Sequence, residues 1–277
     1  MANFDINNFV IDRIIRGVAL SHSDNSVLFS INQIQNASLN CSSESTDAVD
    51  AMGAPITTFY RAKNAEFSAE NALFDMGLMA AQLGTEKKVA GDTTKIIAPA
   101  METIEIKAGQ SAYELKHTPV MIADKDGNEV NSVKEIYALN GDSTFGTKYA
   151  VGTSASANEF VIDGNSITVP TGLAAGTELF VMYDYESTEA VEVVNSAKAF
   201  PTNCKFVMEV LGCDVCDTSN LVYAYVVFNN AKLSPDFDWS IATDGTHPFS
   251  MRAQQDYCDK EKKLFSIIIP GDQDSDE

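Results

Sequence analysis

Positively charged residues are scarce in this chain of 277 residues. Lys and Arg together number 19 against 39 Asp and Glu, which gives a formal net charge of −20 at pH 7. A protein that reads a DNA groove needs clustered Lys and Arg to neutralise phosphates, so the acidic excess disfavours nucleic-acid binding by charge neutralisation. Two interpretations of the acidic excess stay open: solubility alone, or a wall along which DNA slides without sticking.

Long hydrophobic runs are also missing. The apolar N-terminal stretch Phe9–Leu20 is interrupted by Asp12, Arg13 and Arg16. It is too short and too charged for a signal peptide or a membrane span. We therefore expect a protein that is made in a cytoplasm and has no membrane partner. The chain is long enough for one large or two ordinary domains, each with a buried core.

Candidate catalytic and metal-binding residues are few and lie far apart in the sequence. The five cysteines include one close pair, Cys213 and Cys216, but a structural zinc site usually shows a second close pair. The segment around Gly127 is similar to the start of a calcium loop, yet its glycine comes too early for an EF-hand, and a hairpin tip explains it more simply. No histidine has a nucleophile at catalytic spacing, and His247 beside Pro248 is interpreted as a turn residue. The sequence predicts no enzyme, no metal site and no cofactor.

The stretch Val49–Gly84 changes its hydrophobic period in the middle. After Pro55 the residues alternate with a period of two through Lys63, which predicts a strand with an aromatic residue on each face. From Ser68 the apolar residues recur at helical spacing. The sequence therefore predicts an α-helix that begins at Ser68 as N-cap and stops at Gly84.

The segments before this block have different characters. Residues 7–15 place their apolar side chains on one stripe, which indicates either a short helix or an extended arm. Alternation over Val27–Ile34, continued at Ala37–Cys41, predicts strands. The short polar side chains of Cys41–Asp50 predict a surface loop.

The middle of the chain is predicted to be a separate all-β domain. Dipeptides such as Asp126-Gly127 and Asn140-Gly141 tolerate the positive φ of tight hairpin turns. About seven short strands at turn spacing are typical of an immunoglobulin-like sandwich, which we expect as an insertion at residues 101–190. The predicted strands are Thr103–Ile106, Ser111–Glu114, Val120–Ala123, Ile136–Leu139, Phe160–Ile162, Ser166–Val169 and Glu178–Tyr185.

The residue pattern of the N-terminal region returns from Val191 onward. Strands are predicted at Lys205–Leu211, Leu221–Phe228, Trp239–Ile241 and Leu264–Ile269. Leu221–Phe228 has few polar residues on either face, so it should be a central strand or one buried at an interface. We expect residues 1–100 and 191–277 to form one discontinuous β domain around the insertion.

Several of these segments together resemble the bacteriophage tail tube proteins. The resemblance rests on VLFSINQIQNASLN at Val27–Asn40, the VDAMG element at Val49–Gly53, the strand and helix that follow, and the C-terminal segment. It implies a mainly β fold, a β-sandwich or barrel with one α-helix, plus the inserted immunoglobulin-like β-sandwich. It also implies a structural virion protein of the tail, assembled in the host bacterial cytoplasm into stacked rings, usually six-membered, that conduct DNA during ejection.

The resemblance also suggests which residues assemble the tube. Ring-forming contacts are expected through Thr57, Phe59, Arg61, Leu221, Tyr223, Tyr225 and Val227. Contacts between rings are expected from the N-terminal arm and the acidic loop, through Phe9, Ile14, Glu44, Asp47 and Asp50. The implied partners are further copies of the chain and other tail proteins such as a sheath or a terminator, while DNA passes through without specific binding.

A different virion role stays open. A head decoration, baseplate or adhesion protein could carry the same inserted domain, which would then bind cell-surface glycans. Filament formation by the protein on its own separates the two roles, because only a tube subunit requires it. An enzyme such as a hydrolase lacks support in the sequence.

Overall fold

The computed structural model describes residues 8–123, 125–257 and 260–270. The described residues are mainly β with one α-helix, so the predicted fold class is confirmed. The N-terminal elements are β1 (Phe9–Ser21), β2 (Val27–Ile31), β3 (Ile34–Val49), β4 (Pro55–Asn71) and α1 (Met76–Leu83). The middle elements are β5 (Lys88–Val89), β6 (Ile96–Glu105), β7 (Ala112–Glu114), β8 (Met121–Ala123), β9 (Glu129–Asn131), β10 (Glu135–Leu139), β11 (Phe145–Val151), β12 (Glu159–Asp163), β13 (Ser166–Thr168), β14 (Glu178–Ser187) and β15 (Val191–Glu192). The C-terminal elements are β16 (Asn203–Asp214), β17 (Asp217–Leu233), β18 (His247–Ala253) and β19 (Ser266–Ile268).

The chain divides into two compact units. The insert unit runs from Lys88 to Glu192, and the body unit combines the described residues up to Lys87 with those from Val193 onward. The immunoglobulin-like identity of the insert unit and the predicted boundaries at residues 101–190 stay predictions.

One antiparallel sheet forms the body unit. Its strand order is β2-β1-β16-β17-β18-β4-β3, with β19 paired to β17, and it curls into a half-barrel. β17 pairs with β16 along one edge and with β18 and β19 along the other. Within the apolar segment Leu221–Phe228, Tyr225, Val226 and Val227 pair with strands on both sides, whereas residues 221–224 pair with β16 alone among the described residues. The prediction of a central strand is therefore confirmed for only part of the segment.

Aromatic side chains fill the core of the body unit. The ring centroid of Phe67 lies 5.7 Å from that of Phe206, 5.9 Å from that of Phe228 and 6.0 Å from that of Phe249. All four side chains are buried. Burying such a side chain contributes roughly 1.5–3 kcal/mol to folding, so this cluster across β4, β16, β17 and β18 holds the curled sheet together.

The predicted helix begins later than expected. α1 is capped by Asp75, whose Oδ1 accepts a hydrogen bond from the Leu78 N–H at 2.7 Å. Ser68 lies within β4, paired to β3 on one side and to β18 on the other. The prediction of its capping role was wrong because Phe67 and Ala69 keep the period of two and are buried. The predicted end is confirmed: Gly84 follows the helix with φ of +67°.

Two N-terminal predictions also change. Cys41–Asp50 is not a loop, because β3 continues through Val49 and pairs with β4. The polar composition misled the prediction, since a strand that is exposed on both faces needs no apolar alternation. Residues from Phe9 onward form β1, so the helical alternative for the N-terminal segment is wrong.

The C-terminal strands differ in one place from the prediction. Trp239–Ile241 is not a strand, and the neighbouring strand of β17 is supplied by β18, which the sequence prediction missed. The ring of Trp239 stacks instead on Phe74, with centroids 4.4 Å apart. Trp239 therefore packs against Phe74 from a loop and is not part of a sheet.

The insert unit has its own sheet and core. The strand order is β6-β14-β10-β11-β12-β13-β7, with β11 and β12 parallel, and β8 pairs with β9 and β5 with β15. Ile136, Phe160, Ile167 and Leu179 are fully buried in its core. The prediction missed β9, which has three residues, and β11, which carries a glycine. The hairpin tip predicted between β8 and β9 includes Asp124, which lies outside the described residues.

Candidate assembly surface

The β3–β4 hairpin extends beyond the rest of the body sheet. β18 pairs with β4 only from Glu66 onward, and no other strand among the described residues pairs with the remainder. Residues 41–63, which we call the distal hairpin, are exposed throughout except for half-buried Ala48. The distal hairpin is thus a two-stranded ribbon with two open faces.

One face of the distal hairpin collects residues that were predicted for two different contacts. Glu44 lies opposite Arg61, Thr46 opposite Phe59, and Ala48 opposite Thr57. Directly opposed residues of an antiparallel pair point to the same face. The predicted ring-forming residues of this strand therefore share a surface with Glu44, which was predicted to contact the next ring.

The opposite face is also partly apolar. Asp47 accepts a hydrogen bond from the Thr58 hydroxyl at 2.7 Å, which links the two strands. Ile56 and Tyr60 belong to the same face by alternation, and the Tyr60 side chain is 72% exposed. Because Phe59 on the first face is 53% exposed, the ribbon presents an uncovered aromatic ring in each direction.

The tip of the hairpin is shaped by Asp50. Its carboxylate accepts hydrogen bonds from the backbone N–H groups of Met52 and Ala54, both at 2.8 Å. Gly53 supplies the positive φ, +85°, that the turn requires. The turn leaves the Met52 side chain 94% exposed. Asp50 therefore has a structural role in the turn, and its predicted contact with another ring stays a prediction.

A bulge bends the hairpin near its base. Ser42 pairs with Asn64 and Glu44 with Arg61, so Ala62 and Lys63 together oppose a single residue. Ala62 has a φ of +48°, an uncommon value for a residue with a side chain. Bulges of this kind increase the local twist and re-aim the strand, so the bulge sets the direction in which the distal hairpin projects.

The other predicted ring-forming residues lie on β17. Leu221, Tyr223, Tyr225 and Val227 alternate with Ala224, Val226 and Phe228, which are buried in the core. The four predicted residues therefore share the face of the sheet that points away from the core. Their role in ring formation stays a prediction.

A polar network crosses three strands on this face. Arg16 of β1 donates from Nε to Glu209 of β16 at 2.7 Å, and the Tyr225 hydroxyl of β17 donates to the same carboxylate at 3.2 Å. Glu209 is buried. The hydrogen bond and the charge of Glu209 raise the pKa of Arg16, while burial and then the hydrogen bond raise the pKa of Tyr225. Sequence reasoning missed this network because Arg16 and Glu209 are 193 residues apart.

Phe9 and Ile14, predicted for an N-terminal arm, belong to the sheet. Both side chains are partly buried and pack against the core of the body unit. Ile14 lies opposite Val210, and the ring of Phe9 covers Gly212. A contact of these residues with another ring stays a prediction, and within the subunit they anchor β1.

His247 joins β18 to the helix. Its ring is fully buried and contacts Gln82 from Nε2 at 2.8 Å, while the Asp75 N–H lies 3.5 Å from Nδ1. The ring also stacks near Phe74, with centroids 5.4 Å apart. Burial lowers the pKa of His247, which the nearby Asp75 carboxylate partly opposes. The interpretation of His247 as a turn residue was wrong, because His247 is the first residue of β18 and its side chain is buried.

The part of the chain that the structure describes shows no cluster of metal-binding side chains. Within the described residues, no group of three or more His, Cys, Asp or Glu lies close enough to hold a metal ion. Cys41, Cys204, Cys213 and Cys216 are free thiols, and burial raises the pKa of Cys204 to about 11, so it stays protonated at neutral pH. No helix in the described part of the chain is long and apolar enough to cross a membrane.

The sequence matches a known protein family over most of its length. Residues 9–263, which include the distal hairpin, β17 and the insert unit, fit the family model described as the YomU/Tube protein family. No match to a curated protein was found. The matched family is structural and has its place in the phage virion tail. This chain therefore belongs to the YomU/Tube protein family, a family of tail tube proteins.

Proposed function

We propose that this protein is a tail tube subunit that self-assembles into stacked rings, six subunits to a ring, and that the stack is the conduit for DNA ejection. The family supports the tail tube role. The single observation that carries self-assembly is the distal hairpin, whose two faces are both open.

A ribbon of this kind is poorly stable by itself. An isolated two-stranded hairpin is marginal in water, and this one leaves Ile56, Phe59 and Tyr60 exposed. Fully covering one such side chain contributes roughly 1.5–3 kcal/mol. A neighbouring copy that covers the distal hairpin would therefore both order it and gain binding energy from it.

The edges of the body sheet supply the contact within a ring. The strand order ends in β2 on one side and β3 on the other, and residues 34–40 of β3 lie outside the distal hairpin. Unpaired strand edges are templates for another chain. Because the two end strands differ, pairing between copies is head-to-tail, and such contacts close into a ring when the rotation permits. The distal hairpin is then left to bridge one ring to the next.

The charge of the protein fits passage of DNA rather than binding. With a net charge of −20, the chain repels phosphates at long range. Every phosphate contact that is avoided removes one barrier to movement along the conduit. Sheath or terminator proteins are the expected partners at the outside and the ends of the tube.

Electron microscopy tests the proposal directly. The purified full-length protein is imaged by negative stain at high concentration, with light scattering of the same sample. We expect hollow filaments from the unmodified protein. In Phe59→Asp, which puts a charge on an open face of the distal hairpin, we expect the filaments to be lost and single rings to remain. Tyr257→Asp, the matched control, changes an exposed aromatic residue of the body unit outside the hairpin and should leave the filaments intact.

Two results would contradict the proposal. A stable monomer at all salt concentrations would exclude self-assembly and favour a decoration or adhesion role. Filaments of unchanged length in Phe59→Asp would remove the distal hairpin from the contact.

A further inference from the structure

The insert unit has an uncovered apolar face on four adjacent strands, β6, β14, β10 and β11. Ile136, Leu179 and Val181 point into the core and are fully buried. Alternate residues on the same strands, such as Tyr137 and Phe180, therefore point outward. Tyr137 lies opposite Phe180 in the register of β10 and β14.

Three aromatic rings are gathered on this outward face. The ring centroid of Phe145 lies 5.1 Å from that of Tyr137 and 5.0 Å from that of Phe180. Met101 and Met182, opposite each other on β6 and β14, extend the apolar surface. Phe145 is 59% exposed and Met101 is 64% exposed. We call these five residues the aromatic platform.

The aromatic platform is the floor of a bounded groove. The groove has a volume of about 670 Å³, and its lining also includes Ile122 of β8 and Ser132 and Lys134, which follow β9. All its lining residues belong to the insert unit. Small-molecule sites typically enclose about 300–1,000 Å³, and they combine apolar walls with a few polar groups.

The charges around the groove balance. Glu135 forms an ion pair with Lys148 and accepts a hydrogen bond from the Tyr137 hydroxyl. Lys134 and Asp184 add one charge of each sign to the lining. The lining itself carries one positive and two negative charges, and Lys148, which pairs with Glu135 from outside the lining, brings the local sum to zero, although the chain as a whole carries −20. This balance disfavours a strongly charged ligand of either sign.

We propose that this groove binds a neutral saccharide. A pyranose ring has an apolar C–H face, which matches exposed aromatic rings, and a rim of hydroxyls, which matches mixed donors and acceptors at the groove edge. A flat protein interface buries about 800 Å² on each partner, whereas this site is a groove of about 670 Å³ on one small unit. The saccharide site goes beyond the tube function, and none of its residues lies in the body unit, which carries the proposed assembly contacts.

Saturation-transfer NMR on the full-length protein tests the site. The probes are chitotetraose, maltotetraose and cellotetraose, three neutral tetrasaccharides that differ in linkage and substitution. We expect transfer to at least one of them. Phe145→Ala should weaken its binding about tenfold, because an aromatic stacking partner is lost, while Phe145→Trp should retain it. Phe200→Ala, the matched control, removes an exposed phenylalanine from the body unit and should change nothing.

Three outcomes would overturn the proposal. The first is no transfer to any of the three probes. The second is equal transfer in the unmodified protein and in Phe145→Ala. The third is a change of self-association, measured by light scattering, in Phe145→Ala without a change in saccharide binding, because the aromatic platform would then be a protein interface. These measurements of saccharide binding and self-association do not require the protein to form tubes. If the unmodified protein fails to assemble, the saccharide proposal can therefore still be tested.

Discussion

Glu44 lies directly opposite Arg61 across the distal hairpin, so the two side chains share one face of the ribbon. Opposite charges at such a position support strand pairing by about 0.2–1 kcal/mol, and like charges oppose it. Arg61→Glu places two carboxylates opposite each other. We predict faster amide hydrogen exchange in the distal hairpin, corresponding to a loss of up to about 1 kcal/mol of local stability, with unchanged exchange in the core of the body unit.

A double variant with the two charges swapped tests whether the cross-strand pair stabilises the distal hairpin. Glu44→Arg combined with Arg61→Glu restores an opposed pair and should restore slow exchange. Lys63→Glu makes the same change of charge on the same strand but in the bulge, outside the register, and should have a smaller effect. Equal exchange rates in the single Arg61 variant and the double variant would show that the cross-strand pair contributes nothing.

The pH dependence of the body unit should depend on His247. Burial lowers its pKa in the folded protein below the ordinary value of 6.5. Below that value the unfolded chain binds the proton more readily than the native state, so stability is lost as the pH falls from about 6.5 toward the native pKa. We predict lower urea midpoints at about pH 5.5 than at about pH 7.5, followed by the fluorescence of Trp239, the only tryptophan.

Substitution of His247 distinguishes its contribution to the pH dependence of stability from that of other titrating groups. His247→Gln removes the titrating ring and should flatten the pH dependence across this window, with some loss of stability at neutral pH. His22→Gln removes an exposed histidine and should leave the pH dependence unchanged. A dependence that survives in His247→Gln would assign it to carboxylates instead.

Local patterns in the sequence predicted much of the strand content but not its connections. The alternation after Pro55 correctly indicated a strand, and Gly84 correctly indicated the end of a helix. Ser68 was misassigned because the end of a buried strand and the start of an apolar helix carry similar residues. The distal hairpin looked like a loop on its β3 side because a ribbon without a buried face has no amphipathic pattern.

Long-range contacts account for the rest of the candidate surface. Arg16, Glu209 and Tyr225 come together only through the register of three strands, and no spacing in the sequence indicates this. The aromatic platform likewise draws Met101, Phe145 and Phe180 from separate strands. A shift of one residue in any of these strands would move its side chains to the other face, so the sequence without the register could not predict either site.

The contact between β1 and β16 should be sensitive to any side chain at position 212. A Cβ on Gly212 would lie 2.3 Å from the Val10 carbonyl oxygen and 2.4 Å from the Phe9 ring. The backbone contact cannot relax by a rotamer change, so β1 must move. We predict that Gly212→Ala lowers the free energy of unfolding of the body unit by about 1–3 kcal/mol, measured by urea denaturation.

A glycine in open space gives the control. Gly141 has no heavy atom within 4 Å of the Cβ position, so Gly141→Ala should be nearly neutral. If the two substitutions cost the same, the close approach of β1 to β16 would not limit stability. Faster proteolysis near Phe9 in Gly212→Ala alone would locate the damage in β1.

The hydrogen bonds of the Tyr183 hydroxyl should stabilise the insert unit. Its buried hydroxyl donates to Glu102 and accepts from the His117 N–H at 3.1 Å. Tyr183→Phe leaves both partners without this hydroxyl, and we predict a loss of about 1–3 kcal/mol in the stability of the insert unit, measured by hydrogen exchange of its core amides. Tyr185→Phe is the matched control, because Tyr185 contacts His117 through its ring face, 3.8 Å between centroids, and should keep that contact.

The loss of stability at alkaline pH provides a second measurement of the role of Tyr183. Burial, followed by the hydrogen bond to Glu102, raises the pKa of Tyr183 above its ordinary value of 10. The unfolded chain then loses the proton first, so the contribution of Tyr183 is fully present below about pH 10 and decreases as the pH rises above it. Tyr183→Phe should therefore flatten the alkaline loss of stability, whereas Tyr185→Phe should not. An equal alkaline slope in both variants would mean that the Tyr183 hydroxyl is solvated and that the hydrogen bond to Glu102 does not hold β14 to β6.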